Sequence, residues 1–202
     1  MYKIISNVYD ILLYLPLISI RLKVKKIIKT LGVKSIIDIC CGTGNQLKML
    51  KRSGYDDLTG IDLSENMLKV ANRGKYKLKC QQQDATKLSF KDDNFDLGII
   101  SLALHEKPLE VQNLVLNEAK RVIKKDGYLI VVDYMFDKHA FILGVLEIFI
   151  VEAMVGGDHF RNFRKFIKNG GLESITKDKF EKINEYKFHF GGTRCFVLKN
   201  IK

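Results

Sequence analysis

Residues 36–45 read Ile36-Ile37-Asp38-Ile39-Cys40-Cys41-Gly42-Thr43-Gly44-Asn45, and this stretch decides the fold. Its first half is a short apolar run of the kind that forms a buried strand. Gly42 and Gly44 then mark a turn, and a helical pattern runs from Gly44 to Arg52. A strand passing through such a turn into a helix brings backbone close to a bound ligand, because a Cβ at either glycine would obstruct the approach. The helix that follows offers unpaired amides at its start. A lone G-x-G occurs in many tight turns, so the weight falls on what lies around it.

Outward from that stretch the chain alternates. Further apolar runs are Asp57–Ile61, Lys77–Gln82, Phe95–Leu102 and Tyr128–Val132, with the first run read from Lys34. Helical patterns cover Ser64–Arg73 and Leu109–Lys124, and in the second Val111, Leu114, Val115, Ala119, Val122 and Ile123 recur near the 3.6 period. Asp126-Gly127 is read as the turn that ends it. Strand and helix alternating in this way predict an α/β, doubly wound, mostly parallel sheet with helices on both faces. The end differs: Glu185–Phe190 and Arg194–Leu198 flank Gly191-Gly192 and predict an antiparallel hairpin with a two-residue turn. With no linker or repeat, residues 1–202 read as one domain. Its parts are a helical cap over 1–30, a core over 34–134, a second helical cap over 138–183 and the hairpin over 185–199.

Composition excludes several classes. The 202 residues are 47% hydrophobic and 28% charged with two prolines, which fits neither a disordered nor a collagen-like chain. Four cysteines (Cys40, Cys41, Cys80, Cys195) without a C-x-x-C give neither a disulfide framework nor a zinc finger, and no metal ligand set is read. A reducing cytoplasm is the expected compartment. The formal charge of +11 is mostly lysine, scattered without a block, so it argues only weakly for nucleic acid. The apolar stretches Ile4–Ile20 and Ala140–Gly157 are interrupted by Asp10 and Pro16 and by Glu147 and Glu152. Neither reads as a signal peptide or a span, though either could lie on a membrane surface.

Twenty residues beyond Gly42, Asp62 ends the second strand, where a carboxylate can accept bonds from ribose hydroxyls. Leu47 stands where the dinucleotide fingerprint needs a third glycine, and no Gly-Lys-Ser/Thr follows the turn. A turn that holds a nucleoside without a pyrophosphate cradle suits an adenosyl ligand lacking phosphates. Asp84-Ala85, after the third strand, can meet the adenine edge.

DICCGTG (38–44), GIDLSENML (60–68), QDA (83–85), DNFDLGIISLALHE (93–106) and RVIKKDGYLIVVDY (121–134) together resemble the class I S-adenosylmethionine-dependent methyltransferases, in their ubiquinone/menaquinone-biosynthesis-like branch. The resemblance covers residues 30–135 in the family's order and implies a seven-stranded Rossmann-like sheet. It also implies S-adenosylmethionine as cofactor, S-adenosylhomocysteine as product, and methyl transfer to a small, apolar, lipid- or quinone-like acceptor. Carried over, it implies that Asp38, Cys40, Gly42, Thr43, Gly44 and Asn45 form the turn around the methionine portion. Asp62 would hold the ribose, Leu63 and Met67 would pack on adenine, Asp84 and Ala85 would read its edge, and Ser101 would lie near the methionine end. The family's first glycine is replaced here by Cys40.

Three residues are candidates for catalysis. His105, with Glu106 beside it, follows the fourth strand at the expected mouth of the site and could take a proton. His159 is a second candidate, and Tyr9 an aromatic cover for the sulfonium. After Gly156-Gly157, Phe160, Phe163, Phe166 and Ile167 line one side of a helix, while Arg161, Arg164 and Lys165 point elsewhere, as in an apolar lid with basic groups at its rim. The expected partners are a small-molecule substrate, a peripheral membrane contact and a second copy of the chain. Methylation of RNA or protein, and a non-catalytic cofactor-binding relative, are the alternatives.

Overall fold

The computed structural model describes the backbone of residues 2–136 and 142–202 and the side chains of 17–136, 145–146 and 148–202. The elements are α1 (Tyr2–Leu31), β1 (Ile36–Ile39), α2 (Asn45–Arg52), β2 (Leu58–Asp62), α3 (Glu65–Ala71), β3 (Lys79–Gln82) and β4 (Phe95–Ser101). They continue with α4 (Leu109–Val122), β5 (Ile123–Tyr134), α5 (Ile142–Val155), α6 (Gly157–Lys168), α7 (Gly171–Thr176), β6 (Glu181–Phe188) and β7 (Thr193–Lys199). The strands form one sheet in the order β3-β2-β1-β4-β5-β7-β6. β1 to β5 pair in parallel, and β7 lies antiparallel between β5 and β6. The order reverses between β1 and β4, the crevice where open sheets of this kind bind ligands beyond the carboxyl ends of their strands.

Two apolar layers cover the sheet, and the strands feed both because successive side chains alternate. Ile37, Ile39, Ile100, Leu129, Val131, Phe196 and Leu198 pack on one face against α4, α6 and α7. Ile36, Leu97, Ile99, Ile130, Val132, Cys195 and Val197 pack on the other, beneath Ile20, Val24, Ile27 and Ile28 of α1 and Leu47 and Leu50 of α2. In α4 the predicted stripe is realised in part: Val115, Ala119 and Val122 are fully buried, each large side chain contributing about 1.5–3 kcal/mol, but Leu116 is buried with them while Leu114 is 44% exposed. The helix α1 runs through Pro16, where the sequence suggested an interruption.

Two local expectations are corrected. Helix α4 ends at Val122, and Asp126-Gly127 lies inside β5, whose register against β4 jumps from Phe95↔Ile123 to Leu97↔Tyr128. Asp126 takes φ 60° in this irregular stretch, and the buried Asn200 side-chain amide donates to the carbonyls of Lys120, Ile123 and Lys124. The β6–β7 hairpin also lacks a two-residue turn. His189 and Phe190 adopt positive φ in a single 3-10 turn, whereas Gly192 has φ −80°.

Candidate active site

The glycine turn joins β1 to α2. Cys40, Gly42 and Gly44 have φ of 63°, 54° and 70°, all left-handed. The Gly42 amide donates to Asp62 Oδ2 (2.8 Å) and the Ser64 amide to Asp62 Oδ1 (2.8 Å), so one carboxylate ties the turn after β1 to the loop after β2. A Cβ on Gly42 would project into open space. One on Gly44 would fall 3.0 Å from Leu78 Cδ1 and 3.1 Å from Ala71 Cβ. Ala71 of α3 and Leu78 therefore crowd a side chain at Gly44, while Gly42 leaves room for a ligand. Lys48 braces the turn by donating to Thr43 O and Val70 O (3.0 Å each), and Asn45 Nδ2 donates to Thr43 Oγ1 (3.1 Å).

The remaining cofactor candidates surround this turn at the carboxyl ends of β1, β2, β3 and β4. Asp38 is buried in β1; burial, then Cys80 and Asp62, push its carboxyl well above the usual range against the pull of Arg21. Leu63 is 69% exposed directly after Asp62, and Met67 is half-buried, its amide held by the Ser64 hydroxyl. Asp84 is exposed and Ala85 buried; the Thr86 amide and hydroxyl both donate to Asp84 Oδ1 (2.8 Å) and lower its carboxyl. Ser101 is half-buried at the end of β4. Tyr9 belongs to α1, and its side chain lies outside the described residues.

A buried charge network stands beside the turn, and sequence reasoning gave only two of its members as candidate bases, with Glu106 as neighbour. His105 is 3% exposed. Its Nδ1 lies 2.7 Å from Asp133 Oδ1 and its Nε2 3.5 Å from Glu152 Oε2. His159 mirrors it, with Nε2 at 2.5 Å from the same Glu152 oxygen and Nδ1 at 3.2 Å from Glu106 Oε2. The Tyr134 hydroxyl donates to Glu152 Oε1 (3.0 Å), and Lys107 Nζ donates to Glu106 Oε1 (2.6 Å). Asp133 is held by the amides of Leu104, His105 and Tyr134.

Burial works against a charged His105, but Asp133 and Glu152 override it and lift the imidazole to about 10. Bonds to Glu106 and Glu152 lift His159 to about 9. Burial would raise both carboxyls, yet their imidazole partners, with Lys107 for Glu106, hold Glu152 and Glu106 at about 2. At neutral pH both imidazoles are cations paired on both nitrogens. Burial pushes the Cys40 thiol up to about 12, and the charges of Lys107 and Glu106 act on it, which places the network next to the turn.

A glycine turn at the switch point of an open sheet, with a carboxylate closing the neighbouring strand, defines a nucleoside-cofactor enzyme of the Rossmann-like class. Residues 37–131 match a family profile described as a methyltransferase domain. The chain is 34% identical over 181 residues to a demethylmenaquinone methyltransferase of Staphylococcus aureus (strain MRSA252), spanning 83% of this chain and 67% of that protein. Among solved structures, a Pyrococcus horikoshii OT3 protein superposes with TM-score 0.64 at 21% identity, covering 86% of this chain and 85% of that one. A putative methyltransferase from Bacillus halodurans C-125 gives 0.63 at 18% identity, covering 85% and 94%. The chain belongs to the class I S-adenosylmethionine-dependent methyltransferases, in the ubiquinone/menaquinone-biosynthesis-like branch. It is a small-molecule methyltransferase, and its cofactor is S-adenosylmethionine. The turn fits that cofactor: space is open over Gly42, an uncovered Leu63 follows Asp62, and nothing in the sequence supplies a pyrophosphate cradle.

Proposed function

We propose that the methyl acceptor is a quinone-like or other apolar, lipid-like molecule. The observation that carries this reading is the 34% identity to an enzyme named for demethylmenaquinone. The aromatic lid agrees with it: Phe163 is buried and packs its ring against Tyr134, Phe149 and Phe160. In this reading Asp62 holds the ribose, Leu63 and Met67 flank adenine, and Asp84 and Ala85 read its edge. Asp38, Cys40, Gly42, Thr43, Gly44, Asn45 and Ser101 shape the methionine end. The cofactor supplies an activated methyl on a sulfonium. The chain's task is to align the acceptor behind that bond, a contribution of up to ~7–11 kcal/mol in favourable cases.

His159, with 19% of its side chain exposed, is the histidine that an acceptor entering under α6 would meet. His105 lies behind it at 4%, bonded through Glu152, and is a positioning residue in this arrangement. Tyr9 remains the proposed aromatic cover. Calorimetry with S-adenosylmethionine or S-adenosylhomocysteine tests the cofactor site, and Asp62→Ala should abolish the heat. His105→Ala and His159→Ala should lower turnover with a demethylated quinol while leaving cofactor affinity intact; unchanged rates would remove both roles.

The exposed face of α5 supports a membrane contact. Leu146, Ile150 and Met154 recur every fourth residue at 53%, 53% and 83% exposure, beside Val155. No described helix is long and apolar enough to cross a bilayer, so the contact proposed is peripheral. Met154→Glu with Ile150→Glu should release the protein from anionic vesicles. If sedimentation shows that the pair instead dissociates a dimer, a second copy of the chain is the occupant of this face.

A further inference from the structure

We propose that His105, His159 and Glu152 form a binding site for a divalent first-row transition ion, with zinc as the first candidate. The Nε2 atoms of both imidazoles converge on one oxygen, Glu152 Oε2, at 3.5 and 2.5 Å, and the three donor atoms lie within 4.8 Å of one another. Ligands held at metal distances of about 2.0–2.2 Å stand roughly 3.0–3.5 Å apart, so occupancy asks for side-chain adjustments that open the 2.5 Å contact between His159 and Glu152 and bring all three donors to that spacing.

What surrounds the donors argues more strongly than the donors themselves. Each imidazole has a second carboxylate behind it, Asp133 at 2.7 Å from Nδ1 of His105 and Glu106 at 3.2 Å from Nδ1 of His159. That arrangement fixes the tautomer with Nε2 aimed inward, as metal-bound histidines require. Tyr134 occupies the other oxygen of Glu152, leaving Oε2 to face the imidazoles. Three carboxylates, Asp133, Glu106 and Glu152, face the two imidazoles, so a doubly charged ion would take the place of the two imidazolium protons without leaving a net charge buried.

Nitrogen donors disfavour calcium and magnesium, which take oxygen ligands. Three protein ligands leave at least one coordination position open, the pattern of a reactive rather than a closed structural site. His159 lies on the accessible side, and His105 and Glu152 form the floor. The inference does not depend on the identity of the acceptor.

The full chain, freed of metal by a chelator and dialysed, is titrated with zinc chloride alone by calorimetry and then melted with and without zinc. One ion per chain and a raised melting temperature are expected. His159→Ala and Glu152→Gln should weaken binding by about a hundredfold or more, and Asp133→Asn by about 10–100-fold. His189→Ala, outside the cluster, should leave binding unchanged. His159 sits on the half-exposed side of α6, so its variant should fold, as retained far-ultraviolet dichroism would report. Absence of binding by the parent chain, or affinity in His159→Ala and Glu152→Gln equal to the parent's, would overturn the proposal. S-adenosylmethionine titrated into the same samples keeps this outcome separate from that of the cofactor site.

Discussion

Cys40 sits where the family pattern has glycine, and its backbone shows why: φ is 63°, a region that L side chains enter at a cost of about 1–2 kcal/mol. Replacement by glycine removes that strain but returns about 0.5–1 kcal/mol through the freer unfolded chain. It also removes a side chain packed against the core layer that contains Ile39 and Val131, a loss of about 1 kcal/mol. These contributions nearly cancel, so Cys40→Gly should leave stability within about 1 kcal/mol of the parent. Cys40→Val keeps the strain and adds a β-branch, for which left-handed backbone is a true outlier, and should cost about 2–3 kcal/mol. Urea unfolding at fixed pH reads both as shifts of midpoint at constant slope. A valine variant as stable as the glycine one would refute the strain argument. So would a glycine variant that loses more than the valine one.

Other perturbations separate the roles of neighbouring groups. Gly44→Ala should destabilise by about 2–3 kcal/mol, because its Cβ meets Leu78 and Ala71 in a left-handed conformation. Gly42→Ala, which meets nothing, should cost only about 1 kcal/mol on melting yet weaken cofactor binding. Asn200→Ala leaves the carbonyls of Lys120, Ile123 and Lys124 without their donor and should cost about 1–3 kcal/mol in urea midpoint. In metal-free protein, His105 and His159 are raised above the unfolded value, so their contribution is full below about pH 6.5 and is lost as pH climbs through about 9 and 10. Glu152 and Glu106 are lowered, so the same ion pairs also fail as pH falls from about 4.5 towards 2. Stability measured against pH should therefore form a plateau between, and a flat alkaline limb would contradict the pairing.

The sheet was legible because parallel strands buried on two faces are continuous apolar runs, as in Leu97–Ile100 and Leu129–Val132. Helix α4 was legible from its stripe, although not its end, since Asn200, far along the chain, holds the carbonyls at the α4–β5 junction. The hairpin turn was misread because paired glycines signal positive φ at both, yet here His189, Phe190 and Gly191 take it and Gly192 does not. Asp62 was legible as the carboxylate that closes the second strand, but not as the group that holds the Gly42 amide, a contact twenty residues apart. The charge network was least visible, its members being drawn from 105, 106, 133, 152 and 159. One signal was present: Glu152 is a carboxylate in a nearly continuous apolar helix, and burying it requires cationic or hydrogen-bonding partners from elsewhere.

That network also explains how the lid is held. Asp133 belongs to β5 and His105 to the turn between β4 and α4, whereas Glu152 and His159 belong to α5 and α6. The contacts of Glu152 with Tyr134 and His105, of His159 with Glu106, and of Asn162 with Glu106 O are thus polar links between lid and core. Phe163 adds the apolar link, its ring 5.5 Å from Tyr134 and 6.1 Å from His105. A charge change at His105 alters the attachment of α5 and α6 together with the polarity beside the glycine turn. Glu152→Gln should therefore do more than remove one charge. It leaves Asp133 and Glu106 facing imidazoles with no shared partner, and α5 and α6 should exchange amide hydrogens faster than in the parent protein while exchange in α4 stays unchanged. Unchanged exchange in α5 and α6 would mean that aromatic packing around Phe163 alone seats the lid.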